Sequence, residues 1–251
     1  MILGVDGGVV ALVALVLVLG ATIQALVGLG LGLVAAPVVT ILDPALMPEL
    51  LLVLAASLPL LTLVGSHDEI DWRGLAWVLP ARVPGTAVGV FFLAQFSERY
   101  LGVAVALMVL LAVVLSLTPL EVPVRPGTLA TVGFISGAAG TATSIGGPPV
   151  ALLYQRRSPQ QIRNTLAVLF TVGAAMSLVG IWLGGTFEVR VFLLALLLTP
   201  CLALGALVGG QLRGVVPDHR IRYGVLAVCA ASALVLLVRS LVSGFSVRVA
   251  R

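Results

Sequence analysis

Arg82 stands in the run AWVLPARVPGTAVG, about eight residues inside an apolar stretch and flanked by Pro80 and Pro84. A guanidinium at that depth is costly unless it pairs or faces water, so it marks a candidate site. Its planar fork matches the oxyanions of sulfonate, sulfite or carboxylate in bidentate fashion, and the chemistry it suggests is the holding of an anion. The competing reading is that its long stem snorkels to a nearby interface. The ten acidic residues, Asp6, Asp43, Glu49, Asp68, Glu69, Asp71, Glu98, Glu121, Glu188 and Asp218, all fall at the ends of apolar stretches or between them. Cation sites and proton relays inside membranes rest largely on carboxylates, so a cation pathway or proton pump is disfavoured. His67 and His219 also lie between stretches, which leaves no Ser/His/Asp set for hydrolysis in the core.

Two glycine-rich breaks offer a second source of positive potential, GLGLGLVAAPVV from Gly28 to Val39 and GTATSIGGPPVA from Gly140 to Ala151. In hydrocarbon a chain interrupts a helix only where protein or a water-filled cavity satisfies the freed backbone groups. A helix that restarts after such a break presents unpaired N–H groups and the positive end of its dipole to an anion. Thr141, Thr143 and Ser144 add hydroxyls at the second break; Gln24 near the first, Ser136 aligned with it in the second half, and Ser57 supply further donors. For the hydroxyls the competing reading is back-bonding to a carbonyl of the same helix. Gly85 with Gly89, and Gly205 with Gly209, read as small-xxx-small faces for close helix packing. In RRSPQQIRNTLAVLF, Pro159 suits a helix start and puts Arg163, Asn164 and Thr165 in the first turn. These three residues form either a vestibule for anions or a positive-inside anchor.

The elements that carry these residues follow from composition. The chain has 251 residues, 60% hydrophobic and 10% charged, with mean hydropathy +1.21, which is the profile of an all-α polytopic membrane protein. Charges and turn residues divide it into eight apolar segments, at 9 to 42, 45 to 66, 75 to 95, 100 to 118, 128 to 154, 161 to 184, 190 to 212 and 221 to 243. MILGVDGG lacks a basic n-region, and the apolar run after it is too long for an h-region, so no cleavable signal is expected. Cys201 and Cys229 lie in apolar segments without metal-ligand spacing, and no disulfide, metal or cofactor is expected. The net charge of +4 comes entirely from arginine on the basic side. Clusters at Arg156, Arg157 and Arg163 and at Arg213, Arg220 and Arg222 read as cytoplasmic loops rather than a nucleic-acid surface. The C-terminal Arg248 and Arg251 fall on the opposite side.

A shift of 112 residues lays Gly28, Pro37 and Val38 on Gly140, Pro149 and Val150, and a shift of 120 lays Gly85, Val88 and Gly89 on Gly205, Val208 and Gly209. This points to two homologous halves, 1–120 and 121–251, each opening with a Gly/Pro-broken segment; shared apolar composition is the alternative. The first segment would span about 51 Å as one helix, too long for an untilted crossing. Either it is a long broken span, giving eight crossings and parallel halves, or it folds back as a re-entrant hairpin, which inverts the second half. Setting aside Arg82, Arg239, Arg248 and Arg251, eight crossings put seven arginines on one side and three on the other, whereas two hairpins give eight and two.

The first break, the run EIDWRGLAWVLPARVPGTAVG, and GFISGAAGTATSIGGPP followed by IRNTLA resemble the sulfite exporter TauE/SafE family, also called the toluene sulfonate uptake permease family. The resemblance runs over nearly the whole chain and is carried by glycine and proline more than by reactive side chains. Its matched positions are Gly28, Gly30, Gly32 and Pro37 in the first half, and Gly137, Gly140, Gly146, Gly147 and Pro148 in the second. Thr141-Ala142-Thr143-Ser144 departs from a fully glycine-rich break and leaves the pocket size open. The resemblance implies a multi-pass protein of the bacterial inner membrane that moves sulfite, sulfonates, sulfoacetate or related organic anions. The expectation is a secondary transporter or facilitator, not an enzyme, with the anion held near the midplane between the two breaks and released by alternating access. An anion channel and a non-transporting membrane scaffold are the alternatives. Its expected partners are a small anionic substrate and the lipid bilayer, with a homodimer as an option and no nucleic acid.

Overall fold

The computed structural model describes residues 3–27, 30–63, 69–95, 97–118, 122–154, 157–212 and 218–249. Gly28, His67, Asp68, Glu121, Arg156, Arg213 and Arg251, named above, lie outside these residues. Among the described residues the chain is helical throughout: α1 Gly7–Val27, α2 Leu31–Leu42, a 3-10 turn Pro44–Leu46, α3 Glu49–Leu63, α4 Trp72–Gln95, α5 Glu98–Leu117, α6 Pro126–Thr143, α7 Gly147–Leu153, α8 Pro159–Leu183, α9 Val189–Leu212 and α10 Asp218–Val249. The residues of the first apolar segment thus form α1 and α2, and those of the fifth form α6 and α7. Glycine ends the gap in both cases: Gly30 is the N-cap of α2 and Gly146 that of α7. These caps are 116 residues apart, four more than the offset that aligns the motifs.

Six helices, α1, α4, α5, α8, α9 and α10, contain stretches long and apolar enough to cross a membrane. Their most apolar windows are only about a third buried, and large apolar side chains such as Leu15, Phe91, Leu107, Trp182 and Leu207 stand more than half exposed. A helix that is apolar on its outward face as well as its inward one has lipid as its outer solvent. The protein is therefore a multi-pass membrane protein.

Helices pair along their lengths: α4 with α6, α1 with α9, α5 with α10, and α3 with α8. Without a hydrophobic drive between helices in lipid, small residues that let backbones approach hold such pairs together. Gly85 and Gly89 of α4 lie against Phe134 and Ala138 of α6, while Gly205 and Gly209 of α9 lie against Val18 and Thr22 of α1. A Cβ at Gly209 would stand 2.6 Å from the Thr22 carbonyl oxygen, so only glycine fits.

The same contacts fix the direction of each element. Val78 and Arg82 of α4 meet Gly133 and Gly137 of α6 in that order, so the two helices run parallel. Gly146, before α7, sits against Ser136 and Gly140 within α6, whereas Tyr154, after α7, donates to Asp71 Oδ2 at 3.0 Å just ahead of α4. The chain therefore reverses between α6 and α7 and returns to the bundle end where α4 starts. In the first half Gly30 lies against Ile23 and Gln24 of α1, and Gly20 against Leu31, so α2 likewise runs back along α1. It returns to the end where α9 starts, near which Gly4 touches Arg190. Gly32 of α2 packs against the Ser144 carbonyl, where a Cβ would be 3.1 Å away, so the two reversals meet inside the bundle.

Candidate functional site

Arg82 is held by three helices. Asp71 caps α4 through its Oδ1, which accepts the Gly74 N–H at 2.9 Å, and α4 then carries Arg82 past Pro80 and Pro84, which donate no backbone hydrogen bond. The residue is 3% exposed, so it does not snorkel to an interface. Its Nη1 donates to Ser136 Oγ of α6 at 2.8 Å, and Ser136 Oγ in turn donates to the Gly146 carbonyl at 2.6 Å. A slot of glycines makes room for the guanidinium. A Cβ on Gly140 would stand 2.7 Å from Nη2, one on Gly173 of α8 would stand 2.6 Å from both Cζ and Nε, and one on Gly137 2.9 Å from Cγ.

Around this slot the polar groups are hydroxyls. Thr141 Oγ1 and Ser177 Oγ lie 2.8 Å apart, and Ser177 donates to the Gly173 carbonyl at 3.0 Å. Thr86, one turn beyond Arg82 on α4, is buried, and its Oγ1 has no hydrogen-bond partner among the described residues; nor has Arg82 Nε. No carboxylate pairs with Arg82 among the described residues; Arg190 and Glu188 form an ion pair at 3.4 Å elsewhere. The cluster is thus one cation among neutral donors and acceptors, able to receive a negative charge with hydrogen bonds from a guanidinium edge and a hydroxyl.

Ser136, Gly137, Gly140, Thr141 and Gly146 therefore come together at Arg82, while the other residues singled out in the sequence lie elsewhere. Gln24 Oε1 accepts the Leu31 N–H at 3.0 Å and so occupies a donor at the start of α2 with a side chain of the protein itself. Pro37 is buried within α2, and Gly30 and Gly32 serve the reversal and its packing. Ser57 back-bonds to the Val53 carbonyl at 2.8 Å and Thr143 to that of Ala139 at 2.7 Å, as hydroxyls in apolar helices commonly do. Ser144 donates to the Pro48 carbonyl at 2.8 Å, while Gly147 and Pro148 open α7.

Arg163, Asn164 and Thr165 lie at the α4-start end of the bundle. Arg163 and Asn164 are hydrogen-bonded to Gln160, and Thr165 Oγ1 accepts the Asp71 N–H at 3.1 Å. Thr165 precedes Gly173 by eight residues, about 12 Å along α8 at 1.5 Å per residue, so these residues do not touch the guanidinium. Gly173, Thr86 and Ser177 were not distinguishable beforehand: each shares a face with a neighbour four residues away, a signal with meaning only once α4, α6 and α8 are known to pack together. One carboxylate also departs from expectation. Glu49 lies at the end of an apolar segment, yet packing buries it to 6% exposure.

The chain is 27% identical over 237 residues to a protein of Cupriavidus necator named as a probable sulfite/organosulfonate exporter TauE, a match that covers 86% of this chain and 90% of the relative. No solved structure matches. The family model described as sulfite exporter TauE/SafE matches residues 12–236, which include α4, α6, α8 and the whole Arg82 cluster, and the chain belongs to that family.

Proposed function

We propose that this chain is a secondary transporter or facilitator of small sulfur-containing or organic anions, such as sulfite, sulfonates or sulfoacetate, in the bacterial inner membrane. The observation that carries the reading is Arg82, buried inside a membrane protein with a serine for its partner, and with Nε and Thr86 Oγ1 left over as donors. A bare buried cation is expensive, and an anion bound between Nε and the Thr86 hydroxyl supplies the missing charge and hydrogen bonds. The family and the name of the Cupriavidus relative support the sulfur oxyanion class.

The same reading takes the protein as two inverted halves. Helices α1 to α5 correspond in order to α6 to α10: α1 on α9 answers α6 on α4, and α2 on α10 answers α7 on α5. On this reading α1 with α2, and α6 with α7, are re-entrant hairpins rather than crossings, and each half adds three crossings, α3 to α5 and α8 to α10, an odd number, which inverts the second half. With Arg82, Arg239, Arg248 and Arg251 set aside, the sequence assigns eight arginines to the α4-start end against two to the other, and on this reading the α4-start end faces the cytoplasm. Trp72 and Tyr223 at that end and Tyr100 and Trp182 at the other, all more than half exposed, suit the two interfacial belts. Alternating access is rocking of one half against the other about the meeting point of the hairpins.

Purified protein in liposomes loaded with sulfite, taurine, sulfoacetate or small carboxylates tests this. Saturable flux of at least one of these anions is expected, and Arg82→Ala should abolish it while the protein still inserts. Unchanged flux in Arg82→Ala rejects the site, current without saturation identifies a channel, and no flux of any anion removes transport altogether.

A further inference from the structure

Glu49 is the first residue of α3, and both its carboxylate oxygens accept the N–H of Glu188, at 3.0 and 3.1 Å, on the chain that leads into α9. The opposite end of the bundle builds a matching joint with a neutral acceptor. There Thr165, near the start of α8, accepts the N–H of Asp71 on the chain that leads into α4. Glu49 and Thr165 are 116 residues apart, the same offset as the caps Gly30 and Gly146, so the two joints occupy corresponding places. One joint thus carries an ionisable, 6% exposed group where the other carries a hydroxyl. A hydroxyl suffices to satisfy the backbone N–H, so the carboxylate is not explained by capping alone.

The elements packed against α3 bring a definite set of charges to this end. On α9 and its approach are Glu188 and Arg190, the arginine lying 3.4 Å from the Glu188 carboxylate. At the end of α2 is Asp43, whose Oδ1 accepts the Ala45 N–H, and Arg239 of α10 donates to the Ile41 carbonyl at 2.6 Å. The last turn of α8, ending at Leu183, carries no charge. Glu49 therefore shares its surroundings with a second carboxylate, and the nearest arginine contact is made by that carboxylate. Removal from water favours the neutral form of this carboxyl group most strongly, the Glu188 N–H bonds pull toward the ionised form, and the like charge adds to the neutral side, with a net upward push.

Glu49 also has a route to the anion. Pro48, immediately before it, accepts a hydrogen bond from Ser144, which stands at the reversal between α6 and α7, four residues beyond Gly140 at the guanidinium. We propose that Glu49 is a proton-binding site that links proton uptake from the α9-start face to anion movement at Arg82, an inference that rests on the transport reading above. A proton from water adds to one carboxylate oxygen, the group becomes neutral, and the charge-assisted bond to the Glu188 N–H weakens to a neutral one. No electron moves and no other bond changes.

Two measurements on reconstituted protein test this. Infrared titration follows the protonated-carboxyl band, and sulfite and taurine flux are measured against the pH on each side. A band that titrates in the wild type and is missing in Glu49→Gln is expected, together with flux that loses its pH dependence on the α9-start side in that variant. Taurine keeps an ionised sulfonate and a protonated amine below about pH 8, so over that range its charge does not change, which separates the protein's titration from that of sulfite. Glu188→Gln keeps the N–H but removes the like charge and releases Arg190, so it should move the midpoint of the wild-type band to lower pH; this variant changes a half-exposed residue and decides the matter if Glu49→Gln fails to insert. A band unchanged by both variants, or taurine flux with wild-type pH dependence in Glu49→Gln, overturns the proposal. A titrating Glu49 band in a protein that moves no anion overturns the transport reading and leaves the proton site standing.

Discussion

The α4/α6 contact and the α9/α1 contact are built the same way and filled differently. On one side Gly85 and Gly89 admit the backbone of α6; on the other Gly205 and Gly209 admit that of α1. Counting 120 residues from α4 to α9 sets Arg82 against Leu202, which is fully buried, and Thr86 against Ala206. Counting 116 residues back from α6 to α1 sets Ser136 against Gly20. The α9/α1 side is a largely apolar seam of Leu17, Ala21, Leu198 and Leu202 whose Thr22 hydroxyl is taken by the Val18 and Gly205 carbonyls, whereas the α4/α6 side holds a guanidinium, a serine and two threonines. Close packing through glycine is therefore common to both contacts, and the polar cluster belongs to one. On the reading proposed above, a duplicated frame with a single polar cluster holds one anion per chain, not two.

The sharpest way to break this comparison is to put the charge on the wrong side. Leu202→Arg would bury a guanidinium in a seam where glycine stands in place of Ser136 and the Thr22 hydroxyl is already bonded to backbone, and an uncompensated buried charge costs about 3–5 kcal/mol. The expected outcome is a large fall in the thermal unfolding temperature in detergent, with little folded protein recovered from the membrane. A Leu202→Arg protein of wild-type stability would mean that the α9/α1 seam is wet or polar, and the two contacts would no longer differ in kind.

A smaller effect sharpens the same contrast. Ser136 links Arg82 to the Gly146 carbonyl, and hydrogen bonds to charged groups are worth about 1.5–3 kcal/mol. Ser136→Ala should let the guanidinium wander and weaken the apparent affinity for the transported anion about tenfold to a hundredfold, at 1.4 kcal/mol per tenfold. Thr22→Val on the other side removes a hydroxyl that donates to the Val18 and Gly205 carbonyls and should leave that affinity unchanged. Equal losses in the two variants would place both contacts in the binding path.

Part of this was legible in the sequence, and the reason is rarity. A lone arginine in an apolar run stands out because hydrocarbon tolerates it poorly, and paired glycine breaks stand out because an unsatisfied backbone is just as costly there. The all-helical, membrane-spanning character of the chain was legible from its apolar stretches, and six of its helices are long and apolar enough to cross a membrane. What lay beyond the sequence depended on which helices meet. Thr86, Gly173 and Ser177 look like any small residue until α4, α6 and α8 converge on them. Glu49 sits at the edge of its segment, where hydropathy expects water, and only the chain that leads into α9 encloses it. The hydroxyls of Ser57 and Thr143 are drawn off by their own helices, an outcome that residue type alone does not distinguish from a site.

The mildest test concerns the first break, because its chemistry resembles an anion site most closely while its geometry argues against one. A helix start with a free N–H attracts an anion. Here the Leu31 N–H is taken by Gln24 Oε1, a neutral acceptor from within the chain, and the cation of the second break has a leucine as its counterpart. If Gln24 acts only as a cap, Gln24→Ala should cost about 1 kcal/mol of stability, the ordinary worth of a capping side chain, and leave anion affinity and maximal flux close to wild type. Thermal unfolding and concentration-dependent uptake on the same preparation would read the two quantities separately. A tenfold change in affinity with no loss of stability would assign the first break to the binding path, and the single polar cluster beside α4 would then be half of a site shared across both reversals.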